Sequence, residues 1–127
     1  MLPFSIELRP GLPIAEQVVF AVKKAVVSGQ LRVGTAFPSV RVLSQELRIN
    51  PNTAQKIAAQ LVAEGVLVTT PGVGSIVAER AGADRREKAA LLGAELERLV
   101  VEARKLGLSL EDVQAGIEAH WKRLGGK

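Results

Sequence analysis

Asn50-Pro51-Asn52-Thr53-Ala54-Gln55-Lys56 is the stretch on which the reading of this chain turns. Asparagine is a favoured N-cap because its side-chain oxygen accepts from an otherwise orphaned N–H of the first helical turn. Proline in the next position costs no hydrogen bond there and arrives with its φ already set for helix. A helix is therefore predicted from Pro51 to about Glu64, closed by Gly65. Helical spacing puts Ala54, Ile57, Ala58, Leu61 and Val62 on its inward face. Its outward face begins with Asn52, Thr53, Gln55 and Lys56, which offer two amides, a hydroxyl and an ammonium.

Upstream, Ser39 has the chemistry of an N-cap, and a short helix follows over 40–47 with Val40, Leu43 and Leu47 on one face. Val42 at the third position rules out a full capping box. Arg48-Ile49-Asn50 is a tight turn. Two short helices joined by a turn of about three residues form a helix-turn-helix pattern. An earlier helix, Pro13 to Ser28, is predicted from the spacing of Ile14, Val18, Ala21, Val22, Ala25 and Val26, with Pro13 in its first turn and Gly29 as its C-cap. Gln30 to Pro38 reads as a linker. Phe4 to Leu8 alternates apolar and polar residues, as a short strand or an extended arm does, and Arg9-Pro10-Gly11 ends it.

Downstream, Val66 to Thr70 is rich in β-branched residues, Pro71-Gly72-Val73-Gly74 is turn chemistry, and Ser75 to Ala78 is a second strand candidate. A β-hairpin directly after the third helix is a wing. Ala81-Gly82-Ala83 reads as a hinge. Helical spacing returns from Asp84, a plausible N-cap, to Leu106 through Ala89, Leu92, Leu96, Leu99, Val100, Ala103 and Leu106; Gly107 stops this helix. Ser109 caps a last helix, with Asp112 at its third position and Leu110, Val113, Ile117, Trp121 and Leu124 as its apolar residues. Gly125-Gly126-Lys127 reads as a frayed end.

Composition narrows the function. The 127 residues hold no cysteine and one histidine, His120, so thiolate sites, disulfides and multi-histidine metal sites are excluded. Apolar residues make up 47 % and aromatics only 3 %, so the core is aliphatic. No apolar run approaches the ~18 residues of a membrane span, and Met1 to Glu7 lacks the basic start and apolar stretch of a signal peptide. The expectation is a cytoplasmic protein. The net charge of +4 suits a polyanionic partner without proving one. Nothing resembles a catalytic constellation or a phosphate loop, and Gly72-x-Gly74 leads from strand to strand, which is not a dinucleotide fingerprint. No enzyme activity, cofactor or metal is expected.

Five blocks, in order and spacing, resemble the winged helix-turn-helix of the GntR family of bacterial transcription regulators: Gly29-Gln30-Leu31-Arg32-Val33-Gly34, Pro38-Ser39-Val40-Arg41-Val42-Leu43, Ile49-Asn50-Pro51-Asn52-Thr53, Glu64-Gly65-Val66-Leu67, and Gly72-Val73-Gly74-Ser75-Ile76-Val77. The Asn-Pro-Asn-Thr segment and the short tail resemble its YtrA-like subfamily, in which the tail is a dimerisation element. The chain departs from the family pattern at Phe37 for leucine, Arg48 for a turn glycine, Pro51 where many members carry arginine, and Ala54 for a bulkier residue. If that glycine has positive φ, Arg48 bears strain and offers a cation near a phosphate.

The expected architecture is mainly α with a small β-hairpin wing: a winged helix-turn-helix DNA-binding domain over residues 1–80 and a two-helix dimerisation tail over 81–127. The expected DNA-binding residues are Arg41, Arg48, Asn50, Asn52, Thr53, Gln55, Lys56, Gly72 and Gly74. The major groove admits a helix, and Asn or Gln can bond adenine bidentately. Arg41 has the family's DNA-contacting position. Lys23, Lys24, Arg32 and Arg80 are either further phosphate contacts or solvated charge. The expected dimerisation residues are Leu92, Leu96, Leu99, Ile117, Trp121 and Leu124, packing as a four-helix arrangement of two tails. The partners would be double-stranded operator DNA, read as a palindrome by a homodimer that represses transcription, and an unknown small-molecule effector. The alternative is a winged helix that docks proteins without binding DNA.

Overall fold

Helix α1 (Ile14–Ser28) begins one residue later than the sequence spacing indicates, because Pro13 has the extended φ −57°, ψ 126° of a cap and not of a first turn. It buries Val18, Val19, Val22 and Ala25. Val19 was not expected inside, whereas Ile14 is exposed. Helix α2 (Val40–Leu47) starts as predicted, with the Val42 N–H donating to Ser39 Oγ at 3.2 Å. It ends on Arg48. Helix α3 (Pro51–Ala63) starts on Asn50, whose Oδ1 accepts from the Asn52 N–H at 2.7 Å. Its C-terminus closes through Gly65 N–H to the Val62 carbonyl at 3.0 Å and Val66 N–H to the Leu61 carbonyl at 2.9 Å, a Schellman arrangement.

The structure is a computed structural model that describes residues 2–79 and 85–125. The predicted hinge at 81–83, the Asp84 cap and residues 126–127 lie outside the described residues. The chain divides into two compact units at the 80/81 boundary.

In the first unit, α1, α2 and α3 enclose a core whose largest fully buried side chains are Leu43, Ile57, Leu61, Leu67, Val18, Val22 and Val77. Each such aliphatic side chain contributes about 1.5–3 kcal/mol by leaving water. On α3, Ala54, Ile57 and Leu61 are buried and Ala58 is half-buried, but Val62 is 40 % exposed and turns away from the core. The expectation for Val62 fails: it stands in the last turn of α3, one residue before the helix ends at Ala63.

Strands β1 (Leu67–Thr70) and β2 (Gly74–Val77) pair antiparallel, with Leu67 opposite Val77 and Thr70 opposite Gly74. Leu67 and Val77 share the buried face. The turn closes through Val73 N–H to the Thr70 carbonyl at 3.1 Å, with Pro71 and Gly72 between them and Gly72 at φ +77°. That is the sign only glycine adopts freely at this turn position.

The segment predicted as a linker does more than connect. Gly34 N–H donates to the Val77 carbonyl, Val77 N–H to the Thr35 carbonyl, and Phe37 N–H to the Ser75 carbonyl, each at 2.9 Å, and Ala36 bridges Ile76. Residues 34–37 thus cover the outer edge of β2. No strand pattern in the sequence announces them. Phe37 is buried and stacks on Phe4, ring centroids 5.9 Å apart and planes 4° from parallel. The N-terminal stretch is therefore an extended arm with Phe4 in the core, and Leu2, Ile6 and Leu8 pack partly against that core.

The second unit is helical. Helix α4 (Arg85–Ala90) runs through a π turn (Leu91–Glu95) into α5 (Leu96–Lys105). The sequence had predicted one unbroken α-helix here. The Leu108 N–H donates to the Ala103 carbonyl at 2.9 Å, closing α5 around Gly107. Helix α6 (Leu110–Arg123) carries a full capping box: Asp112 N–H donates to Ser109 Oγ at 3.1 Å and Ser109 N–H to Asp112 Oδ2 at 3.0 Å. The Ser109 N–H, and then its hydroxyl, hold the Asp112 carboxyl below the ordinary aspartate range. Among the described residues no helix is long and apolar enough to cross a membrane.

Candidate nucleic-acid interface

The surface to explain is the face of α3 opposite its buried row. With Ala54, Ile57 and Leu61 inside, the α-helical repeat leaves Asn52, Gln55, Lys56 and Ala59 exposed. Thr53 lies at the boundary, half-buried. The polar residues of this face therefore stand on the first two turns, at the helix N-terminus, where the macrodipole is positive. Asn50 has a structural duty, since its Oδ1 caps α3; its amide donors are the part left for a partner.

Arg48 is the one non-glycine among the described residues at positive φ, at φ 55°, ψ 48°. Two bonds hold it there. Its own N–H reaches the Gln45 carbonyl at 3.4 Å, and Ile49 N–H reaches the Ser44 carbonyl at 3.0 Å. The expected strain is present, and it serves to turn the chain sharply from α2 into the Asn50 cap. The Arg48 side chain is exposed.

Arg41 is exposed in the first turn of α2, a turn without an acidic residue. A cation there opposes the helix dipole. Gly72 and Gly74 are exposed at the wing tip, at φ +77° and +98°. No cation stands between Pro71 and Ser75, so the tip offers backbone and the exposed Val73.

Lys23 has another partner. Its ammonium pairs with Glu64, tying α1 to the end of α3, and Glu64 also accepts from Gln60 Nε2 at 2.8 Å. The Lys23 ammonium, hydrogen-bonded to Glu64, holds that carboxyl below the ordinary glutamate range, against a smaller opposing effect of burial. Lys24 and Arg32 are exposed, and Arg80 lies outside the described residues.

In the tail, Leu92, Leu99, Ile117 and Trp121 are between 43 % and 69 % exposed, and Leu96 and Leu124 are half-buried. Ala103 is the buried residue of this unit among those described. His120 Nδ1 and Arg123 Nη2 are in contact one turn apart.

Three helices with an exposed polar N-terminal face on the third, followed by a braced hairpin, define a winged helix-turn-helix. Residues 14–77 match the bacterial regulatory proteins of the gntR family. The chain belongs to that family, and it is a DNA-binding transcription regulator. It is 32 % identical over 114 residues to the HTH-type transcriptional repressor YtrA of Bacillus subtilis (strain 168), covering 89 % of this chain and 88 % of that protein. Two solved structures are similar to it. One is described as a transcriptional antiterminator from Listeria monocytogenes EGD-e, with a TM-score of 0.84 and 27 % identity, over 98 % of this chain and 93 % of that one. The other is a GntR family transcriptional regulator from Listeria monocytogenes, with a TM-score of 0.64 and 27 % identity, over 88 % and 98 %.

Proposed function

We propose that this protein is a cytoplasmic repressor that binds a palindromic operator as a homodimer, with residues 1–80 as the DNA-binding domain and 81–127 as the dimerisation tail. The observation that carries the reading is the polar row on the first turns of α3, exposed beside a strained arginine that closes the preceding helix. In this reading α3 enters the major groove. Gln55 and Asn52 bond base edges, Lys56 bonds guanine or a phosphate, and Thr53 adds a hydroxyl. Arg41, Arg48 and the Asn50 amide meet phosphates and fix the register of α3 on the duplex. Gly72 and Gly74 let the wing backbone approach the adjacent groove.

Dimerisation is supported by the tail's own economy. Among its described residues the tail buries one alanine and leaves ten large apolar side chains exposed, so it lacks the core that holds a helix pair. A second tail, packing Leu96, Leu99, Ile117, Trp121 and Leu124 against their copies, supplies that core as a four-helix arrangement. Two-fold symmetry then puts the two α3 helices on half-sites about 10 bp apart or a multiple of it. A small-molecule effector would act by changing the angle between the two DNA-binding domains.

Selection of bound duplexes from a random pool tests this reading with the full chain. An enriched inverted repeat is the expected outcome. Enrichment of isolated half-sites would refute the dimer reading, and no enrichment would refute sequence-specific recognition.

A further inference from the structure

The first tail helix contains one π turn, Leu91–Glu95, at whose end the Leu96 N–H reaches back to the Leu91 carbonyl, five residues earlier. A π turn closes its hydrogen bonds one residue further along than an α turn, so it holds one extra residue. That residue changes which side chains share a face. Along α5 and its C-cap, Leu96, Leu99, Ala103 and Leu106 follow each other at intervals of three, four and three, the spacing of a helix–helix seam. Traced back through unbroken α-helix, the seam would continue to Leu92 and then Ala89. With the extra residue in place, everything upstream is set back by one position. Leu91 takes the place that Leu92 would hold, and Lys88 takes that of Ala89. Leu92 moves to the flank, on the side of Val100.

We infer that the π turn sets the register of the tail interface: Leu91, in place of Leu92, is the first core residue of the seam that meets a second copy of this chain, and Lys88 ends that seam. The inference rests on the dimer reading above. Leu91 and Leu92 are both open in the single chain, 63 % and 69 % exposed, so the helix geometry and not exposure separates them. From Leu91 to Leu106 the seam carries no charge, and its next upstream position carries an ammonium that is costly to bury. A partner that covers the seam must stop where the charge begins, and an identical seam related by a two-fold axis is uncharged over the same length.

The test measures the dimer dissociation constant by sedimentation equilibrium for the full chain, Leu91→Ala, Leu92→Ala and a chain lacking Gly93, with helicity checked by circular dichroism. Leu91→Ala is expected to weaken the dimer at least tenfold and Leu92→Ala less than threefold. Deleting Gly93 removes the extra residue and leaves Leu91 on the seam, so that chain is expected to stay dimeric with its helicity kept. A dimeric parent in which Leu92→Ala is as damaging as Leu91→Ala, or in which the deletion dissociates the dimer, overturns the register inference alone. A parent that is monomeric throughout overturns the dimer reading and the register with it.

Discussion

Replacing Arg48 with glycine should raise stability and lower DNA affinity at once. The residue sits at φ 55°, ψ 48°. A side chain with a Cβ in the left-handed region costs about 1–2 kcal/mol. Glycine removes that cost but gives the unfolded chain more freedom, which returns about 0.4–1 kcal/mol. The midpoints of the two ranges leave a net gain of about 0.8 kcal/mol. For a unit of this size that corresponds to a melting point higher by roughly 2–8 °C. The guanidinium is lost in the same step. If it meets one phosphate per protomer, the slope of log K against log salt should flatten by about 0.9 per protomer, or about 1.8 for a dimer. Thermal melting by circular dichroism reads the first effect. Fluorescence anisotropy on a selected operator between 50 and 200 mM salt reads the second. Arg48→Ala separates the two, since it keeps the Cβ and its strain while removing the charge: the slope should flatten as much, without a gain in melting point. A glycine variant that melts no higher than its parent would refute the strain argument, and an unchanged slope would refute the phosphate contact.

Three more outcomes are expected. Gln55→Ala should reduce discrimination at one base pair per half-site by about 1–3 kcal/mol, with non-specific binding nearly unchanged; competition against operators mutated one base at a time measures it, and uniform weakening would remove Gln55 from base readout. Phe4→Ala should destabilise the first unit by about 3 kcal/mol, the low end for a buried phenylalanine because a terminal arm can peel away; a melting point within 2 °C of the parent (under about 0.5 kcal/mol) would show that the arm is not part of the core. Glu64 has a lowered pKa, from its hydrogen bond to Lys23. The stability it adds is complete above the unfolded glutamate value and disappears as pH falls through the lower folded value. That contribution stays within about 0–1 kcal/mol because both partners are partly solvated. The stability gap between the parent and Glu64→Gln, followed by urea titration, should therefore close below about pH 4; a gap that widens on acidification would contradict the assignment.

The parts that were legible in the sequence are those fixed by local chemistry. Ser39, Asn50 and Ser109 each cap the helix they announce, because a cap needs one side-chain oxygen and a backbone N–H two or three residues away. Arg48 was legible as a strained position only through the family's glycine, since nothing in the residue itself demands a left-handed turn. What escaped notice depends on distant partners. Residues 34–37 follow no alternating pattern, and only their backbone hydrogen bonds to β2, with Ala36 bridging Ile76, lay them along its edge. Phe4 is one apolar residue in a short arm until Phe37 is brought beside it by that pairing. The π turn escaped because heptad spacing continues through it; Gly93 was its one local trace, and a single glycine in a helix is an ordinary observation.

If α3 is the recognition helix proposed above, the distribution of charge gives it a need for a dimerising tail. Between Ser39 and Ala63 there are three cations, Arg41, Arg48 and Lys56, against one acid, Glu46. Lys23, close in the fold to the end of α3, is already paired with Glu64. Three phosphates neutralised by one protomer would give a salt slope of only about −2.7, and six from a dimer about −5.4. In the proposed dimer each protomer would hold the other's α3 near its half-site, so the second engagement would be intramolecular and gain an effective concentration that the free protomer lacks. Occupancy of the operator then depends on the dimer seam as strongly as on the bases read. A substitution in the tail that weakens the dimer should lower operator affinity without altering the preferred half-site, whereas Gln55→Ala should do the reverse. Operator titrations of a tail variant and of Gln55→Ala, run side by side on the selected sequence and on a scrambled one, separate these contributions. A tail variant that changed the preferred half-site would break this division of labour.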